Sequence, residues 1–204
     1  MRILIACEFS GIVREAFKKK GWDSWSCDIL PSEIPGQHIL DDVLNHLDEN
    51  WDLMIAFPPC THLSLSGQRW FVEGKKDYRL QNESIAFVEK LWDSDISKIA
   101  IENPIGILST RSKLSKPAQI IQPYQFGETS QKSTCLWLKN LPKLKPTDIK
   151  EPEFVITKSG RKWTKWFSDT SKLPSAIRGK ERSRTFIGIA NAMAEQWTLS
   201  GVKK

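Results

Sequence analysis

The segment Phe57-Pro58-Pro59-Cys60-Thr61-His62-Leu63-Ser64 carries the residue in this chain most suited to covalent chemistry. Two prolines fix the backbone ahead of Cys60, an odd setting for a packing cysteine and a good one for a rigidly held nucleophile. The thiolate is the reactive form, and nearby positive charge favours it. His62, two residues on, is a poor acyl-transfer partner on such a short loop, and no third member of a triad is evident. His62 reads as a loop residue. A second segment, Ile99-Ala100-Ile101-Glu102-Asn103-Pro104, sets a carboxyl group at the end of an apolar run. Alone, Glu102 could be a helix cap or a surface acid. Beside Cys60 it has a use, because an acid that bonds a pyrimidine's ring nitrogen stabilises the charge that develops when a thiolate adds to the ring.

A third group surrounds the first strand. Glu8-Phe9-Ser10-Gly11 follows Ile3-Leu4-Ile5-Ala6. The glycine permits close approach of a ligand, and the following helix should offer free amide donors. Asp28 stands 17 residues after Gly11, where nucleotide-binding sheets commonly hold a ribose-binding acid. The pair alone is weak, since a lone glycine is not the full phosphate-binding fingerprint.

The elements that must position these residues follow from hydrophobic periodicity. Strands are expected over 2–7, 22–28, 52–57 and 98–101, and later near 118–124 and 133–138. Helices are expected over 11–20, capped by Ser10 and stopped by Gly21, over 80–93 and over 189–198. A short helix is expected after Asp41-Asp42, a loop over Ile29–Gln37, and a hairpin over Phe154–Trp166 turning at Ser159-Gly160. Strands alternating with helices predict an α/β fold with a mostly parallel sheet flanked by helices. Such sheets bind ligands at the carboxyl ends of their strands, where the singled-out residues lie.

The chain has 204 residues, 40% hydrophobic and 26% charged, which suits one catalytic domain over 1–204. No apolar run is long enough to span a membrane, and the N-terminus lacks a signal-peptide pattern, so the expected location is the cytoplasm. Four scattered cysteines without a C-x-x-C pair argue against a metal site. The net charge is +6, and Lys158 to Arg184 holds nine cations against two acids, with Trp163, Trp166 and Phe167 interleaved. That composition suits phosphate contacts and base stacking, while a solvated hairpin and loop is the plainer alternative.

In order and type, these pieces resemble the cytosine-5 DNA methyltransferases. Phe9-Ser10-Gly11, after Glu8, looks like their first cofactor motif; Asp28, with Ile29 beside it, looks like the ribose ligand; Asp42-Val43 resembles the contact to the adenine end. Pro58-Pro59-Cys60, Ser64 and Gly67 look like the catalytic loop, and Glu102-Asn103 like the catalytic pair. Gly188-Ile189-Ala190-Asn191-Ala192 resembles the family's C-terminal asparagine segment, with an insertion. The resemblance implies a Rossmann-like methyltransferase fold, S-adenosyl-L-methionine as cofactor and DNA as partner. It implies catalytic roles for Cys60, Glu102, Asn103 and Lys132, and cofactor roles for Glu8, Phe9, Ser10, Gly11, Asp28, Ile29, Asp42, Pro58 and Asn191.

The chain departs from the family in three places. Pro104 follows Glu-Asn in place of an apolar side chain. The Gln-x-Arg-x-Arg segment maps onto Gln131-Lys132-Ser133-Thr134-Cys135 without its arginines, leaving Lys132 to act for them. Only about 50 residues separate Leu138 from Gly188, so the recognition element shrinks to an annex at about 150–185. There Arg161, Lys162, Trp163, Lys165, Arg182 and Arg184, with Ser64 and Gln131 elsewhere, are the expected DNA contacts. The alternatives are a relative that transfers a different group to cytosine, a DNA-binding module with an inert Cys60, and, ranked low, an amino-methyltransferase.

Overall fold

The structure is a computed structural model that describes residues 1–198; residues 199–204 lie outside the described region. Nine strands and seven helices follow one another as β1 (Arg2–Ala6), α1 (Ile12–Lys19), β2 (Asp23–Asp28), β3 (His38–Leu40), β4 (Leu53–Ala56), α2 (Leu65–Val72), α3 (Tyr78–Asp93), β5 (Lys98–Pro104), α4 (Leu108–Arg111), β6 (Gln119–Ile121), β7 (Thr134–Lys139), β8 (Phe154–Ile156), β9 (Lys162–Thr164), α5 (Lys165–Ser171), α6 (Ser175–Ser183) and α7 (Ile187–Gln196). Seven strands form one sheet in the order β3-β2-β1-β4-β5-β7-β6. The pairings from β3 through β5 are parallel, and β7 runs antiparallel to both β5 and β6. The sheet is therefore mostly parallel and flanked by helices, as expected.

The central strands read as unbroken apolar runs because both their faces are covered. Along β1, Ile3 and Ile5 face one core layer, and Leu4 and Ala6 the other. Along β4, Leu53 and Ile55 join the first layer, with Met54 and Ala56 in the second. The first layer is completed by Val13 and Phe17 of α1 and by Ile189, Met193 and Trp197. The second is completed by Ile85, Val88 and Leu91 of α3, and by Leu108 and Trp137.

Several expectations need correction. Gly11, at φ 74°, is the residue ahead of α1; Ser10 Oγ accepts only the Ile12 amide, at 3.3 Å, and Glu8 caps the amides of Val13 and Arg14. Strand β5 does not stop before Glu102. It continues through Pro104, because Glu102, Asn103 and Pro104 pair with Leu136, Cys135 and Thr134 of β7. The stretch after Cys60 is not all loop, since α2 begins at Leu65. The short β3 and α4 were not foreseen. The expected basic loop after the hairpin is two helices, α5 and α6.

Candidate active site

The strand order reverses between β1 and β4, and a crevice at the carboxyl ends of such strands is the usual ligand position. A cleft of about 370 Å³ opens there, lined by Cys7, Cys27, Asp28, Ile29, Asp42 and Pro59, with Val43 and α3's Phe87 adding apolar wall. Cys7, directly after β1, takes a left-handed backbone with φ 57°, an uncommon state for a non-glycine residue. Asp28 accepts an amide bond from Leu30 through one oxygen, at 2.9 Å. Burial raises its carboxyl pKa, opposed by the Leu30 amide and by His38. Asp42 caps the 3-10 turn Val43–Asn45 by accepting from Leu44 at 3.0 Å. Burial, with Asp41, Asp28 and Asp42 nearby, pushes the Cys27 thiol up to about 12. An apolar wall beside carboxylates that can accept hydroxyl protons fits a nucleoside-bearing cofactor.

The turn before α1 is built differently from what its sequence suggests. Glu8 is buried, and its two carboxyl oxygens accept the amides of Val13 at 2.7 Å and Arg14 at 3.1 Å. The Ser10 hydroxyl donates to Glu8 at 3.1 Å. The α1 amides are thus satisfied within the chain and are not free for a ligand. Phe9 lies under the Lys180 ammonium, 5.1 Å from the ring centroid. Arg14, fully buried, is a residue that sequence reasoning missed. Its guanidinium donates to Ser26 Oγ (2.9 Å), Ser32 Oγ (3.0 Å) and Ile34 O (2.6 Å), which pins the Ile29–Gln37 loop over the cleft rim. Asn191 is exposed on α7, away from the cleft lining.

Pro59 forms part of the cleft wall, and Cys60, next in the chain, is exposed. Three features hold its loop. The Cys60 carbonyl accepts the amides of Leu63 and Ser64, both at 3.0 Å. The buried Asn103 donates Nδ2 to the Pro58 carbonyl at 2.9 Å, tying the loop to β5. Ile107 and Leu65 exchange backbone bonds with Leu63 and Ile105 across the loop pair, and Gly106 lies so close that an added Cβ would meet the Leu63 carbonyl oxygen at 2.0 Å. Asn103 Nδ2 thus positions the Cys60 loop, while its buried Oδ1 is left without a hydrogen-bond partner among the described residues. His62 is a packing residue, edge-on to Phe71 at 5.9 Å, with its pKa lowered by burial and by Lys76.

Parallel register sets Ala56 beside Ile101, so the chain leaving β4 toward Cys60 runs alongside Glu102 and Asn103. Crowding around Cys60 raises its thiol pKa, Glu102 raises it further, and Lys132 lowers it. Cys60 is solvent-exposed yet lies against enough protein for burial to dominate; the direction follows from that crowding. Glu102's own pKa is raised by burial, against the pull of Lys132 and the Thr134 hydroxyl. Burial thus makes Glu102 harder to ionise than an ordinary carboxyl group, and Lys132 is the cation acting on both Glu102 and Cys60.

The basic annex presents fewer available cations than its composition suggests. Nine cations against two acids from Lys158 to Arg184 leave the rest of the chain, within a total of +6, at a net −1. Lys165 and Lys172 pair with Asp169 at 2.6 and 2.8 Å. Lys180 and Arg184 pair with Glu33 at 2.9 and 2.8 Å, and Arg184 also meets Glu181. Arg182 turns inward onto Phe167. Trp163 stacks edge-on against Phe167 at 5.0 Å. Among the described residues Lys158, Arg161 and Lys162, all exposed around the β8–β9 turn, make no ion pair. Lys162 sits 4.0 Å over the Phe154 ring. Gln131 is exposed, and Ser64 shares a hydroxyl contact with Ser66 at 3.1 Å.

No family model and no curated protein matches this chain. Among solved structures, one from an Escherichia coli prophage, described as a candidate DNA modification methyltransferase, is similar at 14% identity and a TM-score of 0.49. The similarity covers 74% of this chain and 52% of that one, so this chain matches about half of that protein's length.

Proposed function

We propose that this chain transfers a methyl group from S-adenosyl-L-methionine to carbon 5 of cytosine in DNA, with Cys60 adding to carbon 6. The observation that carries the reading is the convergence of a clamped Cys60, a Glu102 that burial makes harder to ionise, and Lys132 beside a switch-point cleft that Pro59 helps to wall. Asp28, Ile29 and Asp42 are the residues suited to hold the adenosine part of the cofactor there. When bound, the cofactor supplies a sulfonium methyl as the group transferred.

The chain's own residues do the remaining work. Glu102 hydrogen-bonds ring nitrogen 3 of an extruded cytosine and shares its proton with it, which makes carbon 6 electrophilic. Cys60 adds there as the thiolate, with the Lys132 charge favouring that form. Carbon 5 becomes enamine-like and accepts the methyl group. Loss of the carbon 5 proton then lets Cys60 depart. The free cations at the β8–β9 turn are the proposed phosphate contacts, and a recognition element this small suits unpaired or distorted DNA.

The test is covalent trapping, in the presence of S-adenosyl-L-methionine, with DNA containing 5-fluorocytosine, whose fluorine blocks the elimination step that follows methyl transfer. A protein–DNA adduct that forms with wild type and not with Cys60→Ser supports the reading. DNA binding without any adduct overturns it, and mass analysis of nucleosides from treated DNA identifies the group transferred.

A further inference from the structure

Arg182 has the composition of a DNA contact and the geometry of something else. Its guanidinium lies 4.2 Å over the Phe167 ring. It donates to Thr170 Oγ1 at 3.0 Å, Ser171 Oγ at 2.8 Å and Phe167 O at 3.2 Å. These bonds fasten the end of α6 to α5 and leave the side chain little to offer a phosphate.

The carbonyl of the same residue has a separate task. It accepts the Lys132 ammonium at 2.8 Å, across 50 residues of sequence. The Lys132 ammonium also lies 6.0 Å from the Phe186 ring, and it makes no ion pair among the described residues. The base of Lys132 is fixed independently, because its amide donates to Gln122 Oε1 at 3.0 Å. A lysine stem has four rotatable carbons, so an anchored base does not settle where the charge lies. The Arg182 carbonyl settles it. Lys132, Glu102 and the stretch Ser183–Phe186 line one narrow crevice of about 10 Å³, so the charge is held at the wall of the crevice that contains Glu102.

We propose that Arg182 is a positioning residue: by locking α6 to α5 it fixes the carbonyl that holds the Lys132 ammonium beside Glu102 and Cys60. The packing of the annex then sets the charge at the catalytic centre. The proposal rests on the assignment of Cys60 and Glu102 as reacting groups, but its test needs neither cofactor nor DNA.

The measurement is the rate of Cys60 alkylation by iodoacetamide against pH, read on the Cys60 peptide by mass spectrometry. Arg182→Met keeps an apolar stem on Phe167 and removes the three donated hydrogen bonds. It should move the alkylation profile to higher pH, slowing the reaction about threefold to tenfold at a fixed pH below the midpoint. Lys132→Met should give a shift at least as large, and the double variant no more than Lys132→Met alone. Arg182→Lys, which retains a donor, should recover part of the wild-type profile. Hydrogen exchange of the α5 and α6 peptides, read by mass spectrometry, reports whether the annex stays folded in each variant, and Arg182→Lys carries the test if Arg182→Met does not. Profiles that superimpose on wild type, or shifts that add in the double variant, overturn the proposal. Trapping on 5-fluorocytosine can fail while these shifts appear, and the reverse, so the two readings are separable.

Discussion

Replacing Gly106 by alanine should damage the Cys60 loop without touching a single reacting group. The added Cβ would lie 2.0 Å from the Leu63 carbonyl oxygen, 2.9 Å from its carbon and 3.1 Å from Ser64 Cα, all of them backbone atoms. No side chain can swing aside, so the two loops must part by about 1.4 Å to reach the 3.4 Å at which ordinary contact begins. That movement breaks Ile107 N to Leu63 O (2.9 Å) and Leu65 N to Ile105 O (3.2 Å). Two net hydrogen bonds at about 1 kcal/mol each, plus about 1–3 kcal/mol for overpacking, give a loss of about 3–5 kcal/mol. At about 2–4 °C per kcal/mol for a chain of this size, the melting midpoint should fall by roughly 6–20 °C. A displacement of about 1 Å at Cys60 should cut turnover by up to about 100-fold in the protein that remains folded. Thermal unfolding and the Cys60 alkylation rate measure the two effects. Gly179→Ala is the control, because nothing lies within 4 Å of its added Cβ on α6, and it should stabilise by about 0.5–1 kcal/mol. A Gly106→Ala protein with wild-type melting and wild-type alkylation would refute the clamp.

Glu102→Gln should lower turnover by about 10²–10⁴-fold while cofactor affinity, measured by calorimetry, stays unchanged, since Glu102 does not line the cleft. The same variant should move the Cys60 alkylation profile to lower pH, because the ionised carboxylate raises the thiol's pKa at the pH where the thiol titrates. Arg161→Gln with Lys162→Gln should weaken binding uniformly across sequences and reduce the slope of log affinity against log salt by about 2, read by fluorescence anisotropy. Glu33 is held below its ordinary value of 4.5 first by its bond to Arg184 and then by Lys180, with burial opposing. The stability from that pairing is present above 4.5 and is lost as pH falls through the lower folded value. The melting difference between wild type and Glu33→Gln should therefore be constant near neutrality and shrink below pH 4.5.

Much of the fold is legible in the sequence because a parallel sheet covered on both faces leaves unmistakable apolar runs, as in Ile3–Ala6, Leu53–Ala56 and Ile99–Ile101. The proposed reacting pair is legible because prolines before a cysteine and an acid at a strand end are local patterns. The helix α2 was not, because its exposed Leu65 and Val72 blur the apolar stripe that marks a helix. Nor was the continuation of β5 through Pro104, which depends on pairing with a strand 30 residues away.

Side-chain allegiance is where sequence and tertiary structure part. Residue types near Cys60 and Glu102 determined which chemistry the chain can attempt. Only the fold decided that Glu8 caps α1 instead of facing a ligand, that Arg14 leaves the surface to pin the cleft rim, and that most annex cations answer to Glu33, Asp169 and Phe167. A charged or polar side chain takes whichever partner packing brings within about 3 Å, and that partner is usually distant in sequence. Cys60 shows both halves. Its Pro-Pro lead marks it as a candidate nucleophile from the sequence alone, but burial and Glu102 raise its thiol pKa and Lys132 lowers it, and their proximity exists only once β4, β5 and β7 lie side by side.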